Sequence, residues 1–282
     1  MTESPVLIKN YLPTMNRSEI FLVMVSGMGT IAGSVMGTYI GMLGGTDPAA
    51  KVLFATHLLS ASVMAVPGSI VLAKMLCPQT EEATDHVAIS GKEKENSNIL
   101  DAISSGTVTG VKLMTNIAAM LLVFISLVAL ANYITEGVIG RYTGLNDWIV
   151  KITDGKAQGL TFQFILGVIT SPFMWLIGVP SQDIMLVGSL LGQKTILNEF
   201  VAYFQLQQWK DAGLFMYEKS ILMSTYILCG FANISSIGIL LGGLGVLAPE
   251  KRGLISRIGV PAMIGGALVS VLSATIIGMI LG

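Results

Sequence analysis

Charge is what this sequence has least of. Asp, Glu, Lys and Arg make up 12% of its 282 residues, about half the share usual in a soluble domain. Intrinsic disorder needs the opposite composition, low hydrophobicity with high charge, and is excluded. No excess of one sign exists either: 16 Lys and Arg face 17 Asp and Glu, a net charge of −1. That leaves no basis for binding nucleic acid. Cysteine is scarce, and Cys77 and Cys229 both sit in apolar surroundings, so neither a disulfide framework nor a metal cluster is expected. His57 and His86 lack metal-ligand spacing with a Cys or carboxylate. No nucleophile–base pair, phosphate-cradling loop or hydrolase signature occurs, so the reading is not an enzyme. What the chain has in plenty is apolar: 52% hydrophobic residues and a mean hydropathy of +0.74. An all-α integral membrane protein follows.

A helix crossing the bilayer needs roughly 20 mostly apolar residues, because the hydrocarbon is about 30 Å thick and each residue rises about 1.5 Å. Ile20–Gly45, Val52–Leu76, Leu113–Ile134, Ile221–Leu247 and Gly259–Leu281 meet that test. Leu160–Phe204 is also apolar, but Pro172, Pro180, Asp183, Lys194, Asn198 and Glu199 interrupt it. It reads as short broken helices. Basic residues mark cytoplasmic loops. Lys9 and Arg17 precede the first span, and Lys251, Arg252 and Arg257 separate the last two. Both loops are cytoplasmic only if the broken region enters and leaves on one side, so it is expected to be re-entrant. Cys77–Asn98, with its mixed charges, is then a solvated cytoplasmic loop, Asn98–Lys112 a short amphipathic segment, and Thr135–Gly159 external.

The chain also resembles itself. NRSEIFLVMVSGMGTIAGSVMGTYIGMLGG, from Asn16, lies over YEKSILMSTYILCGFANISSIGILLGGLGV, from Tyr217, at a constant offset of 201 residues. Gly29 falls on Gly230, Ser34 on Ser235, Gly37 on Gly238, Gly41 on Gly242, Leu43 on Leu244 and Gly44 on Gly245. Thr2-Glu3 and Asn198-Glu199 are acidic tips upstream of the two copies, each followed by an apolar arm. By the charge argument the first long helix runs outward and the second inward. An inverted-topology repeat is the architecture of secondary transporters, whose substrate sits near the midplane where discontinuous helices meet. The expected fold is therefore an inverted-repeat transporter with re-entrant hairpins and discontinuous helices.

A few polar groups in these apolar stretches need a reason. Glu199 in KTILNEFVAYF is a carboxylate that should face a wet cavity or a partner, and Lys194 is a candidate partner. Glu3 in TESPVLI poses the same question. Asn233, Ser235 and Ser236 in CGFANISSIG suggest an unwound, cavity-lining stretch, with Thr30, Ser34 and Thr38 at the corresponding part of the first copy. Gly29, Gly33, Gly37, Gly41 and Gly45 form a bare ridge, read as a packing face for another backbone.

GSVMGTYI, LLSASVMAVPGSIVLAKMLCPQTEE, GQKTILNEFVAY and CGFANISSIGI resemble the concentrative nucleoside transporter family across essentially the whole chain. TESPVLI is similar to that family's GQTEAP hairpin tip, with Met1 where the Gln would stand, so the resemblance implies an N-terminally truncated chain. It also implies an ion-coupled nucleoside importer working by alternating access, in the cell membrane (a bacterial inner membrane) and homotrimeric when complete. Residues 1–76 would hold the second arm of a first hairpin and two membrane helices. Residues 77–159 would hold the loop, amphipathic segment, scaffold helix and external loop. Residues 160–282 would hold an interfacial segment, the second hairpin and two further helices. Glu199, Asn233 and Ser236 would bind the ribose, Thr2, Glu3 and Val35 would face the base, and Phe231 would close the pocket. Thr30 and Ile31 would hold sodium in a site lacking its other ligands, with sodium favoured over a proton and no other cofactor. The alternatives are a non-transporting fragment of such a protein and a passive channel lined by the carboxylates.

Overall fold

The computed structural model describes residues 8, 11–81, 129–153, 155 and 157–282, together with 98–101, 103, 104, 107, 108, 111, 115, 122, 126 and 127. Among these every regular element is helical: α1 (Arg17–Gly29), α2 (Gly33–Gly44), α3 (Pro48–Leu76), a π-helix (Tyr133–Gly140), α4 (Arg141–Thr143), α5 (Leu145–Ile152), α6 (Phe162–Leu176), α7 (Ile184–Ile196), α8 (Glu199–Asp211), α9 (Glu218–Leu228), α10 (Ile234–Leu247), a 3₁₀ turn (Pro249–Lys251) and α11 (Arg252–Ile280). The chain divides into two compact units, residues 1–87 with 163–282, and residues 88–162. Most of the expected Leu113–Ile134 span lies outside the described residues.

Local chemistry explains where the helices of the first unit begin. Asn16 and Glu19 form a reciprocal capping box, the Glu19 N–H donating to Asn16 Oδ1 at 3.0 Å and the Asn16 N–H to Glu19 Oε2 at 2.9 Å, an arrangement worth about 1 kcal/mol. Asp47 caps α3 by accepting from the Ala49 N–H at 2.9 Å, with Pro48 in the first turn, where its missing N–H leaves no bond unmade. Among the described residues three stretches are long and apolar enough to cross a membrane: Arg17–Gly44, Pro48–Leu76 and Pro249–Ile280. Their outward faces are apolar too. Val52, Leu59, Val63, Val66 and Ile70 on α3, and Val260, Ile264, Leu268, Leu272 and Ile276 on α11, are exposed at the three-to-four-residue spacing of one helical face. Hydrocarbon, not water, suits such faces.

The expected repeat is a structural repeat. The first expected span is broken at Thr30–Ala32 into α1 and α2, and Ile221–Leu247 is broken at Cys229–Asn233 into α9 and α10. Burial follows the same 201-residue offset. Phe54, Leu58, Ala61, Ala65, Gly68, Ser69 and Ala73 are the buried residues of α3, and their mates Ile255, Gly259, Ala262, Gly266, Val269, Ser270 and Ala274 are all buried on α11. Tyr39, Leu43 and Gly44 on α2 likewise match buried Leu240, Leu244 and Gly245 on α10.

Hydrogen bonds at the helix ends give the direction of each copy. Lys251 Nζ donates to Met15 O at 2.8 Å, and Ser18 Oγ to Cys77 O at 2.7 Å. The start of α1, the end of α3 and the start of α11 therefore share one end of the unit. At the other end Lys219 Nζ donates to Gly282 O at 3.1 Å, joining the start of α9 to the residue just past α11. So α1–α2 and α11 run one way, and α3 and α9–α10 run the other. The two copies are inverted.

α7 and α8 form the re-entrant hairpin. Each arm has 13 residues, about 20 Å of helix, short of the roughly 30 Å needed to cross. The buried Asp183 carboxylate, just before α7, accepts from the N–H groups of Met216 and Tyr217 at 3.0 and 3.2 Å. The start of the first arm is thus tied to the chain just past the second, and both arms open at the same end. In the second unit Asn146 is the organiser. Its side chain donates to Glu136 O and accepts from the Leu160 N–H, each at 3.0 Å, binding the π-helix to the segment after α5.

The glycine ridge is filled only in part. A Cβ on Gly29 would lie 3.2 Å from Val269, whereas Gly33, Gly37, Gly41 and Gly45 meet nothing within 4 Å among the described residues. Among the described residues nothing packs on that part of the ridge, nor on the mates Gly238 and Gly242 of α10.

Candidate functional site

The two helix breaks lie against each other. Gly230 has φ +119, a backbone state that L side chains avoid, and a Cβ there would fall 2.8 Å from Gly29 O. Only glycine lets the second break rest on the first, and Gly29 and Gly230 are themselves repeat mates.

The hairpin tip reaches this crossing. Asn198 starts α8 by accepting from the Val201 N–H at 2.9 Å, which puts Glu199 in the helix's first turn, where the dipole favours a negative charge. Glu199 is 7% exposed, and its Oε2 accepts from Asn233 Nδ2 at 2.9 Å. Asn233 is the residue from which α10 begins. Its Oδ1 accepts from the Ser236 N–H at 2.9 Å, Ser236 Oγ at 2.9 Å and Ser235 Oγ at 2.6 Å. Those donors fix which end of the amide is oxygen, so the NH₂ must point at the carboxylate. The Asn-Ser-Ser cluster is both a helix cap and a mount for one charged group.

Aromatic side chains hold the tip in place. Tyr203 on α8 stacks on Tyr39 of α2, ring centroids 4.1 Å apart at 24°, and its hydroxyl donates to Thr225 O of α9 at 2.8 Å. Phe200 leans on the same Tyr39 ring at 6.2 Å. Tyr39 is buried beside Glu199, with its hydroxyl toward that carboxylate. The sequence reading passed over Tyr39, because a Tyr on a glycine-rich helix face looks like core until the hairpin is folded onto it.

Lys194 is not the partner of Glu199. It is fully buried in the last turn of α7, and its Nζ donates to Ile227 O at 2.8 Å and to Ser270 Oγ at 3.0 Å. Ser270 Oγ passes its own hydrogen to Cys229 O at 2.6 Å.

The remaining expected residues sit as follows. Ser236 is 1% exposed and bonded to Asn233. Phe231 lies half-buried in the second break, where its carbonyl accepts from the Asn233 N–H at 3.0 Å. Val35 and Ile31 pack on the apolar cluster that contains Tyr39 and Tyr203. Thr30 ends α1 in extended backbone, φ −108 and ψ 162, and its Oγ1 donates to Ser26 O at 2.9 Å. Thr2 and Glu3 lie outside the described residues. No site residue lines the hollow of about 280 Å³ walled by Asn16, Arg17, Ser18, Cys77, Pro78 and Glu81. Among the described residues no group of three His, Cys, Asp or Glu side chains converges.

Comparison with known proteins puts this geometry in a family. Residues 57–278 match the family model described as Na+ dependent nucleoside transporter C-terminus. The nucleoside permease NupC of Helicobacter pylori is 37% identical over 100% of this chain and 62% of its own length. Sodium/nucleoside cotransporter 1 of Rattus norvegicus is 38% identical over 99% of this chain and 42% of its own. The solved structure of CNTnw in an inward-facing substrate-bound state superposes with a TM-score of 0.81 at 35% identity, covering 100% of this chain and 62% of that one. The chain thus spans less than two thirds of the length of these relatives.

Proposed function

The chain belongs to the Na+ dependent nucleoside transporter family, and on that premise we propose that it forms the substrate-binding part of a sodium-coupled nucleoside importer that works by alternating access. The observation that carries the reading is the 2.9 Å bond from Asn233 to Glu199, made where an acidic hairpin tip meets the crossing of two broken helices. A nucleoside is neutral, so directional bonds must hold it rather than net charge. A carboxylate accepts from two vicinal hydroxyls together, in charge-assisted bonds roughly twice as strong as neutral ones. Glu199 is the acceptor for the ribose, Asn233 and Ser236 orient it, and the Tyr39 hydroxyl beside it adds a further sugar contact. Val35 and Phe231 form the apolar walls, and Thr2 and Glu3 serve the base.

Sodium is cargo in this reading. At Thr30 the hydroxyl hydrogen is taken by Ser26 O, which leaves the oxygen lone pairs for a cation, and the extended backbone at Thr30 turns its carbonyl away from the helix. Oxygen donors at an unwound helix suit a hard ion. The end carrying Arg17, Lys74, Lys251 and Arg252 faces the cytoplasm by its positive charge. Relatives solved in inward-facing and outward-facing states support movement between two arrangements. The test is uptake of radiolabelled uridine into proteoliposomes of the full-length protein. Accumulation against its gradient that stops when sodium is removed supports the reading. Equilibration without accumulation would mean a passive pore instead.

A further inference from the structure

Two buried charges stand at the two ends of α7, and the sugar-binding account uses neither. Asp183 immediately precedes the helix and Lys194 lies in its last turn, both fully buried. A charge taken out of water persists only where its partners offset the desolvation. The two charges find partners on one and the same helix, α9. The Asp183 carboxylate accepts from the N–H groups of Met216 and Tyr217 at 3.0 and 3.2 Å, and Tyr217 is the residue from which α9 starts. Lys194 Nζ donates to Ile227 O, in the last turn of α9, at 2.8 Å, and is steadied by Ser270 Oγ of α11 at 3.0 Å.

This pairing follows the electrostatics of a helix. The start of a helix is positive and carries N–H groups without intrahelical acceptors, while its end is negative and carries free carbonyls. The carboxylate therefore meets the positive end of α9 and the ammonium meets the negative end. The spacing fits as well. Asp183 and Lys194 are eleven positions apart, and Tyr217 and Ile227 are ten, about 16 and 15 Å of helix. So α7 and α9 lie parallel, start to start and end to end, pinned at both ends. Glu199 is five residues beyond Lys194, and Asn233 is six beyond Ile227. The register of α7 on α9 thus sets where the tip carboxylate meets the amide that holds it at 2.9 Å. A slip of one turn, about 5.4 Å, would part them.

We propose that Asp183 and Lys194 are positioning residues that act as a register staple: they lock α7 to α9 at both ends, so that Glu199 and Asn233 meet in the geometry a sugar hydroxyl requires. The inference rests on the sugar reading of Glu199. Neither residue touches the substrate, and both act through the two groups they place.

The test titrates uridine and 3′-deoxyuridine into full-length wild type, Asp183→Asn, Lys194→Met and the double variant. Each substitution keeps the approximate size of the side chain and removes its charge. Uridine affinity is expected to fall roughly tenfold in each single variant. Affinity for 3′-deoxyuridine should fall much less, so the preference for the hydroxyl shrinks. The double variant should lose little more than the weaker single one, because a helix released at one end has already lost its register. A merely structural role would lower Tm and the binding-competent fraction while the folded molecules kept wild-type affinity and preference, and that outcome overturns the proposal. Fully additive losses overturn it too, since two unrelated anchors would produce them. Where the variants do not fold, hydrogen exchange of wild type decides. The amides of α7 and α9 should open together in one step, and α7 opening while α9 stays protected overturns the proposal. If wild type binds neither nucleoside, the sugar reading fails by itself, and the exchange experiment still judges the staple.

Discussion

The two copies share a burial pattern along their helices, and their breaks meet at Gly29 and Gly230, yet the breaks are built from different materials. The second is polar and crowded. Asn233 caps α10 with three donors on its oxygen and one carboxylate on its nitrogen, while Lys194 and Ser270 close the end of α9. The first is sparse. Ala32 begins α2 with no side-chain cap, and among the described residues Thr30 bonds only within its own helix. An inverted repeat makes the two breaks alike in backbone, so the described side chains are where they differ, and the proposed reading puts the sugar at the polar second break and the ion at the first.

Substitutions at matched positions sharpen or break that contrast. The largest effect is expected at Glu199→Gln, which keeps the shape and loses the charge-assisted acceptor. Uridine affinity, read by isothermal titration of the purified protein, should fall by roughly 30- to 100-fold, about 2–3 kcal/mol. Asn233→Ala comes next, because it removes a helix cap and strips Glu199 of its partner. A loss of about 2–4 kcal/mol in unfolding free energy, seen as a lower Tm, is expected, whereas Ala32→Gly in the first break should change Tm far less. Gly230→Ala forces a side chain into a positive-φ position against Gly29 O. Its cost of about 1–3 kcal/mol should exceed that of Gly37→Ala, which meets open space. The smallest contrast is between the mates Ser270 and Ser69. Ser270→Ala leaves Cys229 O and the ammonium short of a partner and should cost about 1–3 kcal/mol. Ser69→Ala removes only a bond within its own helix and should cost under about 1 kcal/mol. Equal Tm losses for the two serines would count against a functional difference between the copies.

Much of this architecture could be read from the residues, for reasons that can be named. The 201-residue offset is visible partly because Gly230 must yield to the close approach of the Gly29 backbone and Gly29 to the Val269 side chain. Polar Asn-Ser-Ser in an apolar run marked the second break, since nothing else allows an unwound segment at that depth. Lys251 and Arg17 gave direction through the basic-loop rule, and the Lys251–Met15 bond agrees with it. Other features were illegible because they depend on elements far apart in the chain. Lys194 stands five residues from Glu199, so proximity suggested an ion pair, yet its partners come from α9 and α11. The ridge of Gly33, Gly37 and Gly41 reads as a packing face, but spacing reports which side a residue is on and not what lies opposite, and no described residue lies within 4 Å of a Cβ there. Tyr39 became visible only when α8 brought Tyr203 and Glu199 beside it.

The central claim is that the Glu199 carboxylate, held by Asn233 at the crossing of the two inverted copies, accepts the hydroxyls of a sugar. A coupling cycle tests it most directly: uridine and 3′-deoxyuridine, each titrated into wild type and Glu199→Gln. Wild type should prefer uridine and the variant should lose most of that preference, because the hydroxyl and the carboxylate are two halves of one bond. The same preference in both proteins would contradict the account.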